Sequence, residues 1–170
     1  ADGLSADQVP LDQLVGEAVV IDMLHKQPGE AVWAADLEAT GADVRAGDIA
    51  LIRTGWTNRA PWGTERLWRE MISLEEDACD WLLAKKVKSL ALDFQADVYP
   101  FRTCSDCGQL TPSGRGSPNH RKFLKAGVVL LEWLVNLAEI KKPRVLLVCL
   151  PLKLVGADGA PMRAIAIEED

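Results

Sequence analysis

Residues 117–132 read Ser-Pro-Asn-His-Arg-Lys-Phe-Leu-Lys-Ala-Gly-Val-Val-Leu-Leu-Glu, and this stretch carries a complete helix–turn–strand unit. Ser117 is an N-cap residue type, and Pro118 suits the first helical position, where a missing N–H costs nothing. The helix this predicts over 119–125 stops at Ala126-Gly127. Four consecutive apolar residues, Val128 to Leu131, then read as a buried strand ending on Glu132.

The same alternation runs outward in both directions. Upstream, the apolar run Ala18-Val19-Val20-Ile21, β-branched at three of its four positions, marks a buried strand within 15–24, 34–39 a short helix closed by Gly41, and 48–54 a second strand entering Gly55-Trp56. Ser73-Leu74-Glu75-Glu76 has the form of a capping box, predicting a helix from Ser73 to about Lys86 with Ala78, Trp81, Leu82 and Leu83 near one face. The basic run Lys85-Lys86-Val87-Lys88 then falls where cations complement a helix dipole. A strand follows at 89–93, then a long loop over 95–116 rich in Gly, Pro, Ser and Asp, a length often associated with function. Downstream, 135–140 predicts a helical turn, 145–150 a very apolar strand ended by Pro151, and 162–167 a last strand. Strands alternating with short helices give an α/β domain with a central sheet, and 170 residues suit a single domain over 1–170.

Composition narrows the function. The formal charge is −6 with both signs interspersed, and the basic stretch 102–125 is broken by Asp106 and lacks interleaved aromatics. Nucleic acid is therefore not the expected partner. No apolar run reaches the eighteen or so residues of a membrane span. Ala1-Asp2-Gly3-Leu4 has no basic segment of a signal peptide, and four cysteines do not suggest a disulfide framework, so a cytoplasmic setting is expected. Cys149, in an apolar strand, reads as a buried thiol.

Only two histidines are present. His120 lies in the first turn of the 119–125 helix, and Glu132 ends the following strand, where a carboxylate is costly unless paired or bound to a metal. On chemistry alone two readings stand: a surface His with a salt-bridged Glu, or two ligands for Zn²⁺ or Mn²⁺. Trp56, Trp62 and Trp68 could line an aromatic pocket or bury an interface. Asp93 could face a site or simply form a turn. His25 reads as an edge residue. Cys104-Ser105-Asp106-Cys107 reads as loop thiols, a redox pair or half of a zinc site.

The order of segments resembles the cyclase family of metal-dependent hydrolases, which includes bacterial kynurenine formamidases and isatin hydrolases. The resemblance is carried by Val9-Pro10-Leu11-Asp12-Gln13-Leu14-Val15-Gly16, Gly47-Asp48-Ile49-Ala50-Leu51-Ile52-Arg53-Thr54-Gly55-Trp56, and Ala91-Leu92-Asp93. Further along it is carried by Asn119-His120-Arg121-Lys122-Phe123-Leu124, Leu131-Glu132-Trp133-Leu134 and the segment 150–164. It implies a swivelling β/β/α domain with a mixed sheet flanked by short helices. It also implies hydrolysis of an amide, formamide or cyclic amide at a zinc or manganese site, usually binuclear, with His120 and Glu132 as ligands. Homo-oligomers are common in the family.

Where the family has Glu-Asn-Leu, this chain has Trp133 after the Glu. The family's upstream His-x-Gly-Thr-His-x-Asp-x-Pro-x-His motif, with the expected catalytic His, does not occur in this sequence. Ala1 is compatible with Met removal, proteolysis or truncation. Two ligands are too few for a catalytic zinc, so the chain by itself is expected to bind metal weakly. Three roles follow: the larger piece of a hydrolase completed by further residues or a companion chain, a non-catalytic binding or oligomerisation module, or a small structural or redox-regulated protein using Cys104 and Cys107.

Overall fold

The computed structural model describes residues 3–103 and 109–169. A one-turn helix α1 (Leu11–Leu14) leads into β1 (Val15–Asp22), followed by β2 (Ala31–Val32), α2 (Ala34–Ala39), β3 (Ile49–Arg53), α3 (Trp56–Arg59) and α4 (Glu65–Arg69). Then come β4 (Ser73–Leu74), α5 (Glu76–Ala84), β5 (Ser89–Leu92), β6 (Phe101–Thr103), β7 (Leu110–Pro112) and α6 (Pro118–Lys125). The chain closes with β8 (Val129–Leu131), a 3₁₀ turn (Leu137–Glu139), β9 (Arg144–Pro151) and β10 (Met162–Ile167).

Six strands form a mixed sheet in the order β10-β9-β1-β3-β5-β8. β1, β3, β5 and β8 run parallel, while β9 is antiparallel to both β1 and β10. The parallel strands are apolar on both faces because both faces are covered. On one face Val19, Ile21, Ala50, Ile52, Leu90 and Leu92 pack with Leu37 of α2 and Ala78 and Leu82 of α5. On the other, Ala18, Val20, Leu51, Ala91 and Leu147 meet Leu14, Leu134, Leu137 and Ile140. The α/β architecture expected from the sequence is the one observed, and Cys149 is a buried thiol.

Three local expectations need correction. Ser73 caps no helix: it lies in β4, paired with Ala31 of β2, and α5 begins at Glu76 with Glu75 at the N-cap. Strand pairing outweighs the local capping pattern there. The long loop contains the β6–β7 hairpin. Pro151 is the last residue of β9 rather than its stop, tolerated at a strand end opposite Met162. Among the described residues no helix is long and apolar enough to cross a membrane.

Candidate metal centre

The carboxyl ends of parallel strands are where α/β sheets place their sites. Here the ends of β3, β5 and β8 deliver Thr54-Gly55, Asp93 to Asp97, and Glu132. Asp93 is buried and organises the first of these turns. Its Oδ1 accepts from the Thr54 amide at 3.0 Å and hydroxyl at 2.7 Å, and its Oδ2 from the amides of Gly55 at 2.6 Å and Trp56 at 3.2 Å. Gly55 takes φ +73°, which a turn this tight demands of its backbone. Burial pushes the Asp93 carboxyl above its ordinary value, with the bonds from Thr54 and Gly55 pulling the other way.

Asp97 is also buried, at 1% exposure. Its Oδ1 accepts from the amides of Val98 at 3.0 Å and Asn119 at 3.2 Å. Its Oδ2 lies 2.8 Å from Nδ1 of His120. The first turn of α6 is therefore capped by a carboxylate from a distant segment, since Ser117 makes no side-chain cap. Asn119 is fixed beside it, donating from Nδ2 to the Leu74 carbonyl at 2.8 Å.

Glu132 follows β8 directly, and its Oε1 accepts from the Ala96 amide at 2.6 Å. The same oxygen stands 3.4 Å from Nε2 of His120. Bonding to Asp97, and next to Glu132, pushes the His120 imidazole up to about 9 against the cost of burial. Burial alone would raise the Asp97 carboxyl, but the bonds from His120, Asn119 and Val98 outweigh it and hold the group below its ordinary value.

The structure thus brings His120 and Glu132 together. Two atoms each roughly 2.0–2.2 Å from one tetrahedral zinc stand about 3.4 Å apart, so the Nε2–Oε1 separation fits a shared cation. Among the described residues no group of three His, Cys, Asp or Glu side chains is placed to hold one. The pair lies on the wall of an open groove of about 1490 Å³, bounded also by Leu131, Trp133 and Leu134.

Other expectations fare differently. Trp56 is fully buried with its indole N–H donated to the Leu67 carbonyl at 3.2 Å, and Asp93 is likewise enclosed, so neither lines a surface pocket. Trp62 is half exposed and meets Trp133 edge to face at 5.7 Å, with Trp68 on Trp133 at 5.3 Å. These rings lie beside Glu132 through Trp133, whose residue type alone, a Trp where the family has Asn, gave no sign of the cluster. His25 is exposed in the turn after β1. Cys104 and Cys107 lie outside the described residues. Asp97 went unsuspected, although a buried Asp between Ala96 and Val98 is costly without partners, and that was the available signal.

Several known proteins are similar to this chain in sequence and fold. The chain is 27% identical over 164 residues to a kynurenine formamidase of Salinibacter ruber, covering 96% of this chain and 68% of that protein. It is 25% identical over 183 residues to an isatin hydrolase of Roseibium aggregatum, covering 98% and 64% respectively. For a cyclase-like protein 2 of Oryza sativa subsp. japonica the identity is 24% over 167 residues, covering 98% and 55%. The chain therefore spans from about half to two thirds of the length of these relatives. Among solved structures, a predicted metal-dependent hydrolase from Bacillus stearothermophilus superposes with TM-score 0.71 at 26% identity, covering 97% of this chain and 70% of that one. The family model described as putative cyclase matches residues 1–97, more than half of the chain. With the sheet, the ordered segments and this match in agreement, the chain belongs to the putative cyclase family.

Proposed function

We propose that this chain contributes the His120–Glu132 pair to a divalent-metal-dependent hydrolase acting on an amide, a formamide or a cyclic amide. The observation that carries the reading is the approach of Nε2 to Oε1 at 3.4 Å, with each side chain held from behind by residues 96–97. The names of the two bacterial relatives supply the substrate class, an aryl formamide or an isatin-like ring. Zinc or manganese suits one imidazole and one carboxylate. When bound, such an ion lowers the pKa of a coordinated water toward 7 and polarises a carbonyl.

The chain's own residues have separate tasks. His120 and Glu132 hold the cation, and the Trp62–Trp68–Trp133 cluster offers aromatic surface for a planar ring beside it. A catalytic zinc generally takes three protein ligands, so further ligands come from a longer form of the chain, a companion chain or a neighbouring copy in a homo-oligomer.

In the protein as its gene encodes it, His120→Ala and Glu132→Ala should each abolish zinc- or manganese-dependent hydrolysis of an aryl formamide or isatin. Turnover retained in either variant overturns the assignment. A second reading, a binding or oligomerisation module without catalysis, is favoured by the count of two ligands. It predicts no metal-dependent hydrolysis from the wild-type protein.

A further inference from the structure

We infer that Asp97, acting with the adjoining amide of Ala96, is the positioning residue that decides which nitrogen of His120 meets a cation. The inference rests on the reading of His120 and Glu132 as ligands and adds the reason they point at each other.

The acceptor capacity of Asp97 is committed in one direction on each oxygen. Oδ1 takes two backbone amides, Val98 and Asn119, whose positions are set by the chain. Oδ2 takes the ring at Nδ1, 2.8 Å away, and only a long contact from the His120 amide, at 3.5 Å. Every group facing this buried carboxylate is a donor, so the ring must present Nδ1–H inward and leave Nε2 outward. One residue earlier, the Ala96 amide fixes Oε1 of Glu132. Neighbouring backbone positions therefore aim both side chains, and the pair is already oriented in the closed sheet before any cation arrives. Carboxylates behind metal-bound histidines act in this way, fixing the tautomer and the ring orientation.

The asymmetry makes a specific forecast for Asp97→Asn, which preserves shape. An amide has one acceptor oxygen and one donor group, and must turn the donor toward one side. Two backbone donors at 3.0 and 3.2 Å outweigh one ring and a backbone amide at 3.5 Å, so the NH₂ faces His120. Nδ1 must then accept, the neutral ring carries its hydrogen on Nε2, and the cation position meets an N–H instead of a lone pair.

The test uses the full chain with ¹⁵N-labelled histidine and Mn²⁺ as probe. Long-range ¹H–¹⁵N correlation, at a pH where the ring is neutral, reads the tautomer. Paramagnetic broadening of His120 reads affinity. The wild type should show Nδ1–H, Asp97→Asn should show Nε2–H, and Mn²⁺ should bind about 10–100-fold more weakly to the variant. A wild-type ring carrying its hydrogen on Nε2 overturns the inference, and this measurement needs no variant to fold. An unchanged tautomer and affinity in a folded Asp97→Asn also overturn it, while loss of Mn²⁺ in His120→Ala would leave the ligand reading standing. Unaltered Mn²⁺ affinity in His120→Ala instead removes the ligand reading, and with it the inference.

Discussion

Trp133 sits in the left-handed region at φ 59°, a conformation uncommon for a bulky residue. The family's Asn at this position suits that backbone, since Asn visits the left-handed region with little penalty. Two effects then compete in Trp133→Asn. Relief of backbone strain is worth about 1 kcal/mol, whereas losing two edge-to-face pairs costs about 1–3 kcal/mol. The aromatic term wins, so Trp133→Asn should destabilise the protein by about 1 kcal/mol in urea denaturation. In a Trp62→Ala, Trp68→Ala background the same change should become neutral or stabilising. His120 gives a second forecast at this scale. Its folded value of about 9 lies above the ordinary 6.5, so the protonated form is favoured by folding. The resulting stability is fully present below about 6.5 and drains away as pH rises through 9. We expect metal-free unfolding free energy to fall across that window by on the order of 2 kcal/mol, and to fall less in His120→Gln.

Elements show how much could be read in advance. The strands at 15–22, 49–53 and 89–92 were legible because buried strands make short apolar runs between turn residues, while 162–167, largely exposed, was legible from its isoleucine alternation. Helix α6 was legible from Pro118 and Gly127. Ser73 misled because its pattern is local, while its partner strand, Ala31–Val32, lies far off in sequence and has only two residues. His120 and Glu132, which the structure brings together, were singled out by residue type and resemblance. Asp97 was not, because its value lies in long-range bonds to Asn119 and His120. Of the two readings given for Asp93 the turn-forming one holds: it stitches β5 to the turn after β3. Asp93→Ala should strand the amides of Thr54 and Gly55 in a buried setting, with Trp56 still donating to the Thr54 hydroxyl, costing about 2 kcal/mol or more. A midpoint unchanged in chemical denaturation would refute that role.

Across the whole molecule, the parallel strands converge their carboxyl ends on one region, and the antiparallel pair β9–β10 extends the sheet on the far side. The His120–Glu132 pair belongs to the opposite margin. β8 has only three residues, lies at the sheet edge, and pairs with β5 alone. Detaching it would carry Glu132 away from Ala96 and His120 while leaving β1, β3 and β9 paired. A cation that needs both side chains would bind the closed edge and not the opened one, so it should act as a latch. At a hundredfold excess over its dissociation constant it would disfavour opening by about 2.7 kcal/mol. Amide exchange in β8 should then slow by about a hundredfold on adding Zn²⁺, with β1 and β9 unaffected. Uniform slowing, or none, would show that the edge does not open separately. A short strand at the rim thus makes the readiness of the centre a property of sheet breathing, observable without any substrate.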